Sequence, residues 1–134
     1  MKMLLPFMVV LLLACSNTKT FVMSLDNVEF SESGIKNILE VPTSVKAGEA
    51  IKIRVSVAGG GCISFSKFET KRTAERLELT PIGSTPLNVS CTADYRTWWV
   101  DYLDAASTAR SNPFTVIIHR ANGADLERSV SINP

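Results

Sequence analysis

The run Ile51–Val57 is the feature that most constrains the fold of this chain. Isoleucine or valine occupies every second position of the run, and polar side chains occupy the positions between them. This period of two is typical of a β-strand with one buried and one solvated face. Three glycines and Cys62 follow, so we expect a bulge or a wide turn there. The sequence therefore predicts a central strand over residues 50–58.

Similar but weaker patterns recur along the chain. The stretch 95–106 fits both a strand and a helical stripe, and we favour a strand because its aromatic residues suit one. Asn122-Gly123 predicts a tight hairpin turn. We expect a polar hairpin tip at 71–73 and a loop at 81–86. The other extended segments are expected over 21–30 with a slip near 26–27, 35–41, 62–70, 77–80, 87–91, 114–119 and 126–132.

These segments predict one all-β domain. Seven or eight short strands between turn signals, without a convincing pair of helices, are typical of an antiparallel β-sandwich. The length of 134 residues suits one domain and is too short for two ordinary ones. We therefore assign a single sandwich domain to residues 21–134.

Residues 1–14 have the character of an export signal. Lys2 supplies a positive charge, and residues 4–13 form an apolar stretch that is too short to cross a bilayer as a helix. The stretch ends in Leu12-Leu13-Ala14-Cys15, which resembles a bacterial lipobox. By that resemblance, residues 1–14 form a lipoprotein signal peptide, Cys15 is lipidated on its sulfur, and residues 15–20 hold the lipidated cysteine and a short tether.

The lipobox resemblance also implies a location. Burial of each methylene contributes about 0.8 kcal/mol, so the two or three acyl chains of a bacterial lipoprotein hold stably. Ser16 follows the cysteine in place of an aspartate, which by resemblance to Gram-negative sorting signals implies an outer membrane if the bacterium has one. We expect an exported, membrane-anchored protein. The alternative is an ordinary secretory signal or short anchor with a chance cysteine.

The charge of the chain gives no sign of a polyanionic partner. Lys and Arg number 14 against 13 Asp and Glu, and the one charge of the segment 1–14 is Lys2, so the remainder is formally neutral. A nucleic-acid-binding surface needs a basic patch or stripe. We therefore expect no nucleic-acid partner.

Cys62 and Cys91 form an even pair once Cys15 is assigned to the anchor. An oxidising compartment favours a disulfide between them over two free buried thiols. The chain-entropy model gives about 3.6 kcal/mol for a loop of this length. We expect this disulfide to join two strands and to tie the sheets together.

Several stretches resemble a group of bacterial lipoproteins with one small immunoglobulin-like domain. They are Val-Pro-Thr-Ser-Val-Lys-Ala-Gly-Glu at 41–49, the strand 51–57, Gly-Gly-Gly-Cys at 59–62, and Cys91-Thr92. The resemblance implies an immunoglobulin-like antiparallel β-sandwich and an exported disulfide, and it transfers no ligand. Unlike the antibody pattern, the tryptophans follow the second cysteine, and no tyrosine stands two residues before it.

Catalytic and metal-binding patterns are weak in this sequence. The only histidine is His119, at the end of an expected strand, and no Gly-x-Ser-x-Gly accompanies it. Asp94, Asp101 and Asp104 lie close together but lack the spacing of a calcium loop. We therefore expect no catalytic residue, no metal site and no cofactor.

The pair Trp98-Trp99 is the strongest candidate for binding. Adjacent side chains of a strand point to opposite faces, so we expect one tryptophan in the core and the other outside. An outward tryptophan near Tyr102 or Tyr95 is suited to stack on a sugar or to anchor a protein partner. The alternative is that a loop or the tether covers it.

Two classes of function follow. The first is a non-enzymatic, lipid-anchored domain that binds or supports another envelope component, either a protein or a glycan. The second is an accessory lipoprotein that binds a carbohydrate or a metal ion through an aromatic or acidic surface. A long unpaired sheet edge would favour partner binding by strand addition. An exposed aromatic platform or a carboxylate cluster would favour the small ligand.

Overall fold

The computed structural model describes residues 17–26, 37–106 and 109–134, and their regular structure is entirely β, as the sequence predicts. These ranges contain no helix of the length and apolarity that a membrane crossing requires. Ten strands follow one another along the chain: β1 (Thr18–Val22), β2 (Ser24–Leu25), β3 (Leu39–Glu40), β4 (Ser44–Lys46), β5 (Ile51–Gly59), β6 (Ser64–Arg72), β7 (Arg76–Pro86), β8 (Arg96–Asp104), β9 (Phe114–Ile118) and β10 (Leu126–Asn133).

The strands form two sheets around one apolar core, which is the architecture of a β-sandwich. The larger sheet has the order β1-β7-β9-β10-β4, with β6 also paired to β7. The smaller sheet has the order β2-β5-β3, with β8 also paired to β5. Both sheets contribute buried side chains to the core: Met23, Leu25, Leu39, Ile51, Ile53, Val55, Val57, Leu77, Leu79, Phe114, Val116, Ile118 and Val130.

The predicted central strand is β5. Its alternating apolar side chains are all fully buried, because they form the inner face of the smaller sheet. The stretch 95–106, which fitted both strand and helix, contains the strand β8. The hairpin predicted around Asn122-Gly123 is also present, since β9 and β10 pair in antiparallel register, but residues 119–125 connect the strands, so the expected tight turn is wrong.

Strand β7 is longer than the sequence indicates, and the loop expected at 81–86 is wrong. Pro81 lacks an N–H group, which normally excludes it from a sheet interior. Here the pairing of β7 with β9 ends at Leu79, and its pairing with β1 begins at Ile82. The carbonyl of Pro81 accepts a hydrogen bond from Met23 N at 2.9 Å, so the missing N–H faces the junction of two partner strands.

The chain changes sheets at Met23, and the slip expected near residues 26–27 falls where the described range ends, since residue 27 lies outside it. Strand β1 pairs with β7 in the larger sheet, and β2 pairs with β5 in the smaller one. Met23 lies between them and is fully buried. Strand β1 begins at Thr18, so residues 18–20, expected in the tether, are paired with β7.

The sheets are mixed, which corrects the expectation of an antiparallel sandwich with seven or eight strands. Strand β7 pairs in parallel with β9, and β10 pairs in parallel with β4. After β7 the chain crosses to the smaller sheet for β8 and then returns, so that β9 runs in the direction of β7. Short strands of two or three residues raise the count to ten.

Three smaller expectations differ from the structure. The segment 87–91 contains no strand, and β6 begins at Ser64 rather than at residue 62 and continues through Arg72, into the hairpin tip expected at 71–73. The signal peptide 1–14, Cys15 and the first part of the extended piece 35–41 lie outside the described residues.

Candidate functional site

Strand β8 is an edge strand along its full length. It pairs with β5 at nine successive positions, from Gly59 opposite Arg96 to Ile51 opposite Asp104. No other strand of the described ranges pairs with its second side. In an antiparallel ladder only alternate residues bond to the partner, so the remaining backbone groups point outward.

The hydrogen bonds of β5 show which backbone groups of β8 point outward. Ser56 N donates to the carbonyl of Ile38, and the carbonyl of Ser56 accepts from Asp26 N, so Ser56 faces away from β8. The odd-numbered residues of β5 therefore bond to β8. Four residues of β8 direct their N–H and carbonyl groups to the free edge: Thr97, Trp99, Asp101 and Leu103.

The two tryptophans point to opposite faces of the smaller sheet, as expected for adjacent strand residues. Trp98 packs against the core, together with Val100 and Tyr102. Trp99 lies on the outer face, where the guanidinium carbon of Arg54 is 5.2 Å from its ring centroid. Both tryptophans are half-buried. Arg54 occupies one face of Trp99, which leaves less of that ring for stacking on a sugar.

A groove lies between the edges of the two sheets on this flank. Its volume is about 310 Å³, and we call it the side groove: Ser64, Phe65, Arg96, Trp98 and Val100. Aromatic contacts close the space next to it, since the ring centroids of Phe65 and Phe68 are 4.9 Å apart and Phe68 meets Tyr102 edge-on at 5.7 Å. The side groove is therefore an apolar cleft with a single charged side chain.

That charged side chain, Arg96, lies over Trp98. Its guanidinium carbon is 5.0 Å from the ring centroid, and Nη2 donates to the carbonyl of Ile63 at 2.9 Å. No carboxylate of the described residues lies within ion-pair distance of Arg96, whereas Arg54 contacts both Glu40 and Asp101. The sequence reasoning missed Arg96. Its position two residues before Trp98, on the same strand face, was the available signal.

Strand β6 is the edge of the larger sheet on the same flank, and it differs from β8. Its pairing with β7 is irregular between Phe65 and Lys67, and it carries exposed lysines at 67 and 71. Bulges and lysine side chains are the devices by which proteins block the pairing of an edge with another chain. Strand β8 contains no lysine and no proline, and its register with β5 is regular.

The three aspartates considered for calcium have separate partners. Asp94 accepts a hydrogen bond from Thr92 Oγ1 at 3.2 Å. Asp101 pairs with Arg54 and Lys52 on the outer face, and the buried Asp104 pairs with two arginines. Within the described ranges, no group of three or more histidine, cysteine, aspartate or glutamate side chains is placed to hold a metal ion.

His119 lies between two carboxylates that the sequence did not reveal. Its Nε2 is 3.0 Å from Glu78 Oε1, and its Nδ1 is 2.9 Å from Asp125 Oδ1. The hydrogen bond with Asp125 raises the pKa of His119; partial burial opposes this rise, and the bond with Glu78 adds to it. Because both ring nitrogens are engaged, neither is free to act as a base in this arrangement.

The predicted disulfide between Cys62 and Cys91 is present, with 5.4 Å between the Cα atoms. Neither cysteine lies in a strand, which corrects the expectation that the bond joins two strands. Cys62 is in the turn after β5, and Cys91 is in the segment before β8. The bond therefore fixes the approach to the edge strand.

Comparison with known proteins gives no match. No protein-family model, curated protein or solved structure matches this chain.

Proposed function

We propose that this protein is a lipid-anchored envelope protein whose non-catalytic, immunoglobulin-like domain binds another envelope protein by strand addition to β8. The observation that carries this proposal is the nine-residue edge of β8, which the strands of the described ranges pair on one side only. Strand addition uses main-chain hydrogen bonds for affinity and side-chain pockets for specificity. The outward backbone groups of β8 and the adjacent side groove supply both features.

The anchor is argued from the sequence. The apolar stretch 4–13 and the lipobox-like residues that end at Cys15 are the basis for lipidation, and Ser16 is the basis for an outer-membrane location if the organism has such a membrane. The disulfide supports an oxidising compartment, since such bonds are rare in the cytosol. Intact mass of the membrane-extracted protein tests the anchor. We expect a diacyl or triacyl chain that begins at Cys15, and an unmodified cysteine would refute it.

Binding of a small ligand is the second candidate function. The side groove favours it, because it is an apolar cleft lined by the indole of Trp98 with one polar guanidinium at its mouth. A carbohydrate suits this combination better than a metal ion does. The volume of the side groove argues against this function, since about 310 Å³ is at the lower end of the range for ligand pockets.

Proline substitution separates these functions. In Leu103→Pro the lost N–H is one that points to the free edge, so the ladder with β5 is retained while strand addition is blocked. Thr70→Pro on β6 is the matched control. Leu79, which lies opposite Thr70, directs its carbonyl away from β6, to the N–H of His119. Thr70 therefore makes no ladder bond with Leu79, and its N–H faces the free edge of β6. Both positions are exposed, and circular dichroism checks the fold of each variant.

The assay is capture of envelope proteins by the immobilised, folded domain, followed by mass spectrometry. We expect partners that the wild type and Thr70→Pro retain and that Leu103→Pro loses. Equal retention by all three proteins would refute binding through β8. A glycan that binds all three equally, and whose binding is lost on Trp98→Ala, would favour the second function.

A further inference from the structure

We propose that the segment added to β8 is acidic at one defined position: it carries a carboxylate beside Arg96 and large apolar side chains that enter the side groove. This inference rests on the proposed function, because it assumes that β8 accepts a strand. It names the chemical class of partner, which is an extended peptide with a carboxylate two residues away from an apolar residue.

The geometry of a sheet sets this spacing. An added strand would lie about 4.8 Å from β8, with its side chains alternating between the two faces. Arg96, Trp98 and Val100 are alternate residues of β8 and share its inner face. Alternate residues of the partner would therefore lie beside these three side chains in turn. In the partner, the residue beside Arg96 and the residue beside Trp98 are therefore two positions apart, with one residue between them.

The charge of the site selects a carboxylate for the first position. Arg96 is exposed and contacts one backbone carbonyl and the face of Trp98, but no carboxylate of the described ranges compensates its charge. The ring beneath it fixes the direction of its guanidinium, which matches a carboxylate in a bidentate geometry. No acidic side chain lines the side groove. A basic side chain at this position would meet only a like charge.

The remaining positions select apolar side chains. Phe65, Trp98 and Val100 provide the walls of the side groove, and Ser64 is its only neutral polar residue. A polar side chain placed there would lose its water without gaining a matching set of hydrogen bonds. Valine or a larger apolar residue beside Trp98 and Val100 would instead bury area on both partners.

A pair of hairpin peptides tests the inference. Their outer strands, which would run parallel to β8, read Glu-Thr-Val-Thr-Val and Lys-Thr-Val-Thr-Val, so that they differ only at the position beside Arg96. We expect the glutamate peptide to bind about fivefold more tightly at low salt, since an exposed ion pair has about this effect. Arg96→Gln should abolish the difference. Arg120→Gln is the matched control, because Arg120 also donates to a single backbone carbonyl, that of Ala124.

Each outcome decides the inference separately from the proposed function. Equal binding of both peptides that is lost in Thr97→Pro, which removes an outward N–H between Arg96 and Trp98, would overturn the acidic preference and leave strand addition intact. Binding of neither peptide would overturn the inference, while capture from the envelope still decides the proposed function. Self-association of the domain through β8, measured by sedimentation, would also overturn it, because the occupant would then be a second copy.

Discussion

Asp104→Asn should destabilise this domain more than any exposed charge change on the same strand. Asp104 ends β8, and its side chain is 2% exposed. Its carboxylate accepts hydrogen bonds from Arg110 Nε at 2.8 Å and from Arg72 Nε and Nη2 at 2.7 and 3.1 Å. The side chain of Arg110 is only 3% exposed, so it depends on this carboxylate for compensation of its charge.

The magnitude follows from the charge that the substitution leaves behind. Removal of one partner from a buried ion pair typically costs about 3–5 kcal/mol, because the other charge stays buried without compensation. Asparagine keeps the shape and one acceptor, so we expect a value of about 3 kcal/mol. A domain of this size should then lose about 12 °C in melting temperature.

Urea denaturation at pH 7 measures this effect. The control is Asp101→Asn on the same strand, where the carboxylate pairs with Lys52 and Arg54 but is 46% exposed. An exposed pair contributes at most about 1 kcal/mol. Equal losses of unfolding free energy for the two variants would refute the reasoning, because burial would then have no influence.

The pH dependence provides a second check on Asp104. Burial alone would raise the pKa of this carboxyl, but the hydrogen bonds from Arg72 and Arg110 outweigh that effect and hold the pKa below its ordinary value. A depressed pKa stabilises the folded state above the unfolded value of about 3.9, and this stabilisation is lost as the pH falls through the folded pKa. The difference between wild type and Asp104→Asn should therefore be constant at neutral pH and shrink only below about pH 4.

Two further predictions concern the histidine and the disulfide. The raised pKa of His119 means that its interactions with Asp125 and Glu78 stabilise the fold fully below about pH 6.5 and less as the pH rises through the folded pKa. His119→Gln should remove this alkaline decline, which is about 0.5 kcal/mol for a partly exposed pair, and an unchanged pH profile would contradict the assignment. Replacement of Cys62 and Cys91 by serine opens a link across 29 positions and should cost about 3.6 kcal/mol, measured by urea denaturation. Equal stability of the wild type with and without reductant would contradict it.

The sequence was sufficient where local pattern decides structure. Strand β5 alternates apolar and polar residues without interruption, and the aromatic residues of β8 suit a strand more than a helix. That Trp98 and Trp99 point to opposite faces followed from the period of a strand alone, but which of the two points inward did not. These features depend on neighbouring residues, so the sequence predicts them directly.

Contacts between distant residues decided the rest. Pro81 read as the end of a strand because nothing in its neighbourhood shows that β9 and β1 meet there. The parallel pairing of β7 and β9 depends on which sheet receives β8. The candidate site could not be predicted for the same reason, since the order of all the strands in a sheet decides which strand lies at its edge. The side groove beside Arg96 likewise depends on Phe65, a residue of the other sheet that lines it.

The two edges on this flank differ in the features that protect a strand from pairing with another chain. Lysines and an irregular register protect β6, whereas β8 has neither. Both ends of β8 are instead fixed, by the Cys62–Cys91 bond before it and by the contacts of Asp104 at its end. A strand that is already held in place loses less conformational entropy when a partner strand binds to it. Opening the disulfide should therefore weaken partner capture more than Asp101→Asn does, even under conditions in which both proteins remain folded.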